Sequence, residues 1–206
     1  MTSQSSTKDP SIQQQIILAA QQLFRLYGLQ KVTMDDVARE IGKGRSSLYY
    51  YYKSKEELLD AAIDIEMREI LADLSAAADK APGFEEKLSA YCMARLKRSE
   101  KRKAFYSTLD EHIQNAGEMT EYMKMRETIH LRFRQLEIPL IKSILQHGVK
   151  EGKLRKLSTK EQDTLAFLLL SALQGFKKEI NLKNSYQGIG PAIEMLTAMV
   201  LQGFRP

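Results

Sequence analysis

Three times in this chain a serine or threonine is followed, three residues on, by an acidic residue at the foot of an apolar run. These are Thr33-Met34-Asp35-Asp36, Ser54-Lys55-Glu56-Glu57 and Ser158-Thr159-Lys160-Glu161. The spacing lets the hydroxyl accept from the third amide of a new helix while the carboxylate reaches back to the capping residue's own amide. Ile12, Ile16, Ala19, Ala20, Leu23 and Tyr27 share a helical stripe that starts after Asp9-Pro10 and stops at Gly28. No stretch alternates apolar and polar residues, and no segment repeats. The chain is predicted to be all-α.

The first helix is followed by a short one carrying Val37, Ala38 and Ile41, stopped at Gly42, and by a third from about residue 45 to 52. The Ser54 cap begins a longer helix with Leu58, Leu59, Ala62, Ile63, Ile70, Leu71 and Leu74, and Pro82-Gly83 breaks it. Further helices are predicted at about 84–103, 105–115, 120–151, 159–181 and 191–203, with a kink at Pro139.

With 206 residues, 43% of them hydrophobic, the chain is long enough to bury a core, which excludes disorder as its main state. The longest apolar stretch, Leu165 to Leu170, is far short of the roughly 20 residues that span a bilayer. Met1 to Asp9 is polar, without a signal core, and reads as a disordered tail. The single cysteine, Cys92, forms no intrachain disulfide, so a cytoplasmic address and no membrane partner are expected.

Net charge is +5, and its position is informative. Residues 1–55 hold eight basic and four acidic side chains, whereas the other 151 hold 23 and 22. A basic end on a nearly neutral body points to a polyanion-binding module joined to something else.

That basic end contains a helix, the turn Gly42-Lys43-Gly44, and a second helix reading Arg45-Ser46-Ser47-Leu48-Tyr49-Tyr50-Tyr51-Tyr52. Two helices crossing steeply need a connector that tolerates positive φ, which glycine supplies. Leu48 and Tyr52, four apart, share the inward face, and Ser46, Ser47, Tyr49, Tyr50 and Tyr51 point elsewhere. A short helix with one narrow apolar stripe and hydroxyls around the rest suits a DNA major groove. Arginine reads guanine, hydroxyls reach phosphates or base edges, and aromatic edges meet thymine methyls. Lys55, in the first turn of the next helix, opposes the macrodipole unless a phosphate docks there.

Phe24, Tyr27-Gly28, Thr33-Met34-Asp35-Asp36-Val37-Ala38, Ile41-Gly42 and the run from Leu48 to Leu58 resemble the N-terminal signature of the TetR family of bacterial transcription repressors, over about residues 12 to 63. The resemblance implies a homodimer of nine-helix protomers, with three N-terminal helices on a double-stranded DNA operator and a C-terminal regulatory domain. It places Arg45, Ser47, Tyr49 and Tyr51 toward the groove, Tyr49, Tyr50 and Lys55 on phosphates, and Thr33 at the backbone-contacting start of the second helix. Two positions depart from the family pattern. Lys43 stands where an apolar residue is common, and Gly44 where a serine cap is common. Lys43 is expected to extend its ammonium to the DNA backbone.

The expected organisation is a tail at 1–9, a helix-turn-helix domain at 10–54, and an effector-binding and dimerisation domain at 55–206. Leu165, Leu169, Ala172, Leu173 and Phe176 on one helix, with Ile193, Leu196 and Val200 on the next, are read as the dimer surface, an intermolecular four-helix bundle. Tyr91, Phe105, His112, Tyr122, Met123, Arg126, His130 and Phe133 mix aromatic, thioether and polar groups as small-molecule pockets do. They are read as an effector pocket with Arg126 or His130 as its polar anchor, suited to an anionic or aromatic ligand of unknown identity. The basic cluster Lys97, Arg98, Lys101, Arg102 and Lys103 reads as a solvated helix end. The resemblance further implies that effector binding changes how far apart the two reading heads sit.

No nucleophile motif, metal-ligand spacing or phosphate loop is present, and no cofactor is implied. The sequence leaves open a helical protein-interaction scaffold, and within the family an activator or a ligand-independent regulator.

Overall fold

The computed structural model describes residues 9–29, 31–110 and 116–206, without the side chains of residues 99–110, 116–119, 121 and 122. Among the described residues every regular element is an α-helix. They are α1 (Pro10–Tyr27), α2 (Met34–Glu40), α3 (Arg45–Tyr51), α4 (Lys55–Asp79), α5 (Phe84–Asp110), α6 (Ala116–Lys150), α7 (Thr159–Lys183) and α8 (Ile189–Gly203). The all-α expectation holds, with eight helices among the described residues where about nine were expected. The difference lies in α5, where 84–103 and the start of 105–115 form one rod. Nothing between Lys103 and Phe105 is a glycine, a proline or a cap, so nothing stops the helix there.

The chain divides into two compact units, one of residues up to Met67 with Lys103–Glu121, the other of Arg68–Arg102 with Tyr122–Pro206. In the first unit, Asp9 caps α1 by accepting from the Ser11 amide at 2.9 Å, with Pro10 in the first turn. Ile16, Ala20 and Phe24 on α1 bury completely, as do Val37 on α2, Leu48 on α3 and Leu58 on α4. Each such large side chain contributes about 1.5–3 kcal/mol of hydrophobic stabilisation. Tyr27, read as part of the inward stripe of α1, is exposed. The Gln21 side-chain amide donates to the Ala62 carbonyl at 2.9 Å and fixes α1 against α4.

The cap at Thr33 forms in full: Thr33 Oγ1 accepts from the Asp36 amide, and the Asp36 carboxylate accepts from the Thr33 amide. The box at Ser158 and Glu161 forms likewise, and Arg155 clamps the same carboxylate. The cap at Ser54 is half formed. Its hydroxyl accepts from the Glu57 amide, but Glu57 reaches back to the Lys53 amide at 2.6 Å.

The second unit is centred on Leu74, Phe84, Leu88, Tyr91, Leu96, Ile141, Leu145 and Leu173. Gly148 on α6 lies so close to Phe84 that a Cβ there would fall 2.7 Å from the ring. Cys92 is fully buried, and burial pushes its thiol up to about 12. Pro139 sits inside α6 and has no amide to offer the Gln135 carbonyl one turn back. No helix among the described residues is long and apolar enough to cross a membrane.

Candidate nucleic-acid interface

Between α2 and α3 the chain turns within Ile41 to Gly44. The Lys43 amide donates to the Ala38 carbonyl at 2.9 Å, and Gly42 takes φ +65°, a conformation that costs a side-chain-bearing residue energy. The Ser47 amide donates to the Gly44 carbonyl at 3.0 Å, starting α3 without a side-chain cap.

At about 3.6 residues per turn, the seven residues of α3 make two turns with distinct faces. Leu48 and Tyr51 lie on the buried face, with Tyr52 just beyond. The Tyr51 hydroxyl accepts from the Asp9 amide at 3.2 Å, and the Tyr52 hydroxyl accepts from Gln13 Nε2 at 3.2 Å. Tyr51 is therefore a correction to the expected groove face. The position three after Leu48 points inward as surely as the position four after it, and both phenols are held on α1.

Arg45, Ser46 and Tyr50 are exposed, and Ser47 and Tyr49 half-buried. Arg45 stands 3.3 Å from the Asp35 carboxylate on α2, with its guanidinium carbon 5.3 Å from the Tyr49 ring centre. The Tyr49 hydroxyl, then the charge of Asp35, raise the Arg45 guanidinium above its ordinary range. The arginine is thus held outward at the start of α3, where an edge-reading residue belongs.

Lys43 is exposed in the turn and Thr33 is exposed at the start of α2. Lys53, absent from the expected set, is also exposed, and its Nζ donates to the Tyr49 carbonyl at 3.0 Å, a helix-end cation with a local signal in sequence. Lys55 spends one donor on the Leu29 carbonyl at 3.0 Å, pinning α4 to the loop after α1. An ammonium has three such donors.

Residues 16–62 match the family model described as bacterial regulatory proteins, tetR family. The N-terminal helices of the chain thus carry the DNA-binding domain of the tetR family. It is similar to the uncharacterized HTH-type transcriptional regulator YhgD of Bacillus subtilis, 28% identical over 155 residues, 75% of this chain and 76% of that protein. It is also similar to the HTH-type transcriptional regulator BetI of Agrobacterium fabrum, 35% identical over 82 residues, 40% of each. Among solved structures, the fold resembles a transcriptional regulator from Cytophaga hutchinsonii, with 24% identity, 96% and 100% of the two chains covered, and a TM-score of 0.61. It also resembles the fatty acid degradation regulator FadR from Bacillus halodurans, with 17% identity, 95% and 97% covered, and a TM-score of 0.59. Both of these curated relatives are described as HTH-type transcriptional regulators.

In the second unit the residues read as an effector pocket separate. Tyr91 is fully buried, and its hydroxyl donates to Glu137 at 3.0 Å, so it belongs to the core. Met123 and Arg126 are exposed and are not in the wall of the small cavity beside His130. His130 and Phe133 do line a small cavity, with Ile70 and Arg95. The side chains of Phe105 and Tyr122 lie outside the described set, and His112 lies outside the described residues.

The unforeseen element is a buried ion pair. Arg95 holds Glu137 through two bonds, Nε to Oε1 at 2.5 Å and Nη2 to Oε2 at 3.0 Å, with the carboxylate wholly shielded from solvent. Burial alone would lower the Arg95 guanidinium, but the charge and hydrogen bonds of Glu137 outweigh it and raise it. Arg98, read as part of a solvated helix end, instead pairs with Asp73.

The residues expected to form a dimer surface also need correcting. Leu165, Leu169, Leu173, Ile193 and Val200 are buried within the single chain, and Ala172, Phe176 and Leu196 are half-buried. Both helices carry a second apolar face. Phe167 and Leu168 on α7 are 59% and 55% exposed, and Met195 and Met199 on α8 are each 63% exposed.

Proposed function

We propose that this regulator is a repressor that grips a palindromic operator as a homodimer and is released by a small-molecule effector. Residues 10–54 would form the reading head and 55–206 the part that pairs and responds. The observation that carries the reading is the outer arc of α3, where Arg45, Ser46, Tyr49 and Tyr50 lie opposite the buried Leu48 and Tyr51. Nothing in the first unit's packing requires a polar, arginine-led surface there, and a major groove does.

One short helix reads few base pairs, so a two-fold pair with reading helices about 34–36 Å apart supplies the needed contacts. Titrating DNA selected from a random pool, at several salt concentrations, tests the reading. A selected two-fold site bound far more tightly than shuffled DNA supports it; equal affinity for both rejects it. In the same titration, Lys43→Gln is expected to lower the salt slope by about one unit per bound protomer. An unchanged slope removes Lys43 from the phosphate contacts.

The pairing surface is assigned to the exposed faces of α7 and α8. On α8, Ala192, Met195, Leu196 and Met199 recur at the three- and four-residue spacing of one stripe, opposite the buried Ile193, Thr197 and Val200. On α7, Leu168, Ala172 and Gly175 do the same, and a Cβ at Gly175 would meet nothing. Charging this face with Leu168→Glu and Met199→Glu is expected to give folded monomers by sedimentation. Charging the buried Leu173 instead would unfold the protomer. Dimers that survive the double charge place the interface elsewhere.

A further inference from the structure

Two acids open α2, and its cap uses only one of them. Asp36 completes the cap at Thr33, accepting from that residue's amide at 2.9 Å, and also pairs with Arg39. Asp35, one position earlier, makes neither contact. Its Oδ2 crosses instead to α3 and accepts from Arg45 Nη1 at 3.3 Å. Its Oδ1 is shielded from solvent and has no hydrogen-bond partner among the described residues. An acceptor in that condition lowers stability, and the bridge on the other oxygen is too exposed to restore much. The macrodipole at the first turn of α2 favours an acid there, but that benefit needs no link to α3.

The carboxylate of Asp35 also stands beside the outer arc of α3, where its charge opposes an approaching polyanion. What it supplies is a fixed arginine. Arg45 Nη1 is held by Asp35, Arg45 Nη2 donates to the Tyr49 hydroxyl at 3.5 Å, and the guanidinium carbon lies 5.3 Å from the Tyr49 ring centre. A terminal guanidinium nitrogen carries two protons, so each keeps one to donate. Two donors on neighbouring nitrogens match O6 and N7 of guanine, whereas adenine offers one acceptor beside a donor. The adjacent negative charge cancels much of the attraction between Arg45 and phosphates, which leaves hydrogen-bond geometry as its main contribution.

We propose that Asp35 is a specificity-determining positioning residue, fixing Arg45 so that α3 selects guanine at one position of each half-site. Asp35 itself touches no base. The assignment rests on the reading of α3 as the groove-facing helix and goes beyond it by naming the base and the residue that enforces the choice.

The test uses the full chain on the selected site, its single-base variants and shuffled DNA. In further copies of the site, 7-deazaguanine, which lacks the N7 acceptor, replaces each guanine in turn. For the parent protein, that replacement at one guanine per half-site is expected to weaken binding about tenfold. Asp35→Asn keeps the size of the side chain and removes its charge. It is expected to bind shuffled DNA more tightly and to lose about tenfold of the discrimination at that guanine. Other base positions and the urea unfolding midpoint are expected to stay as in the parent. In an Arg45→Ala background, Asp35→Asn is expected to change nothing at that guanine. Asp35→Ser carries the same expectations and serves if Asn disturbs the fold.

Four results would each overturn the assignment. They are discrimination kept at that guanine, affinity lost equally on all sequences, an Asp35 effect that persists without Arg45, and a parent indifferent to 7-deazaguanine throughout. A parent that selects no site at all ends the groove reading and this assignment with it. A parent that selects a site but fails these comparisons loses the assignment alone.

Discussion

Arg45→Ala is expected to weaken binding to the selected site by about 1–3 kcal/mol per half-site, thus roughly 30- to 20,000-fold for a two-fold complex. The guanidinium stands at the start of α3 between Asp35 and Tyr49, so little of its rotamer freedom remains to be lost on contact with a base edge. Its bridge to Asp35 is exposed on both sides, and removing it changes folding stability by less than about 1 kcal/mol. Competition titrations on the selected site and on its single-base variants separate the possible roles. Loss concentrated at one base position identifies an edge reader. Uniform loss on all DNA makes Arg45 a phosphate contact, and unchanged affinity removes it from the interface.

Glu137→Ala is expected to lower the folding stability of the protein by about 3–5 kcal/mol, because it leaves a buried guanidinium without its counter-charge. Tyr91 loses its acceptor in the same step, adding an unsatisfied buried hydroxyl. The pair as a whole is worth much less than either half alone suggests. Arg95→Met combined with Glu137→Leu and Tyr91→Phe is expected to recover most of the loss, as apolar groups of similar volume fill the space. Urea unfolding followed by helical circular dichroism measures both. A Glu137→Ala protein within about 1 kcal/mol of the parent would show that solvent reaches this site.

The parts of the fold legible in the sequence are those decided within one helical turn. The caps at Thr33 and Ser158 depend on residues three apart, and they form as read. At Ser54 the same pattern is present, yet the carboxylate of Glu57 takes the Lys53 amide, one residue beyond the box.

What was illegible depends on partners distant in sequence. Whether Tyr51 or Tyr52 turns inward cannot be settled on α3, and α1 takes both through Asp9 and Gln13. Helix α7 is apolar on two faces, and only the packing of the second unit shows that Leu165, Leu169 and Leu173 are its inner set. Arg95 and Glu137 are 42 residues apart, and nothing in either neighbourhood marks them as a pair. For the candidate interface, residue types and the turn were legible, while the division into an outer arc and a buried anchor required three dimensions.

Cys92 gives this molecule an internal clock. It is the only thiol in the sequence, it has no exposed surface, and its proton is held far above physiological pH. Alkylating reagents attack thiolates, so modification must wait for the interior of the second unit to come apart. The speed of labelling under native conditions therefore counts those excursions directly, and any ligand that slows it does so by making them rarer.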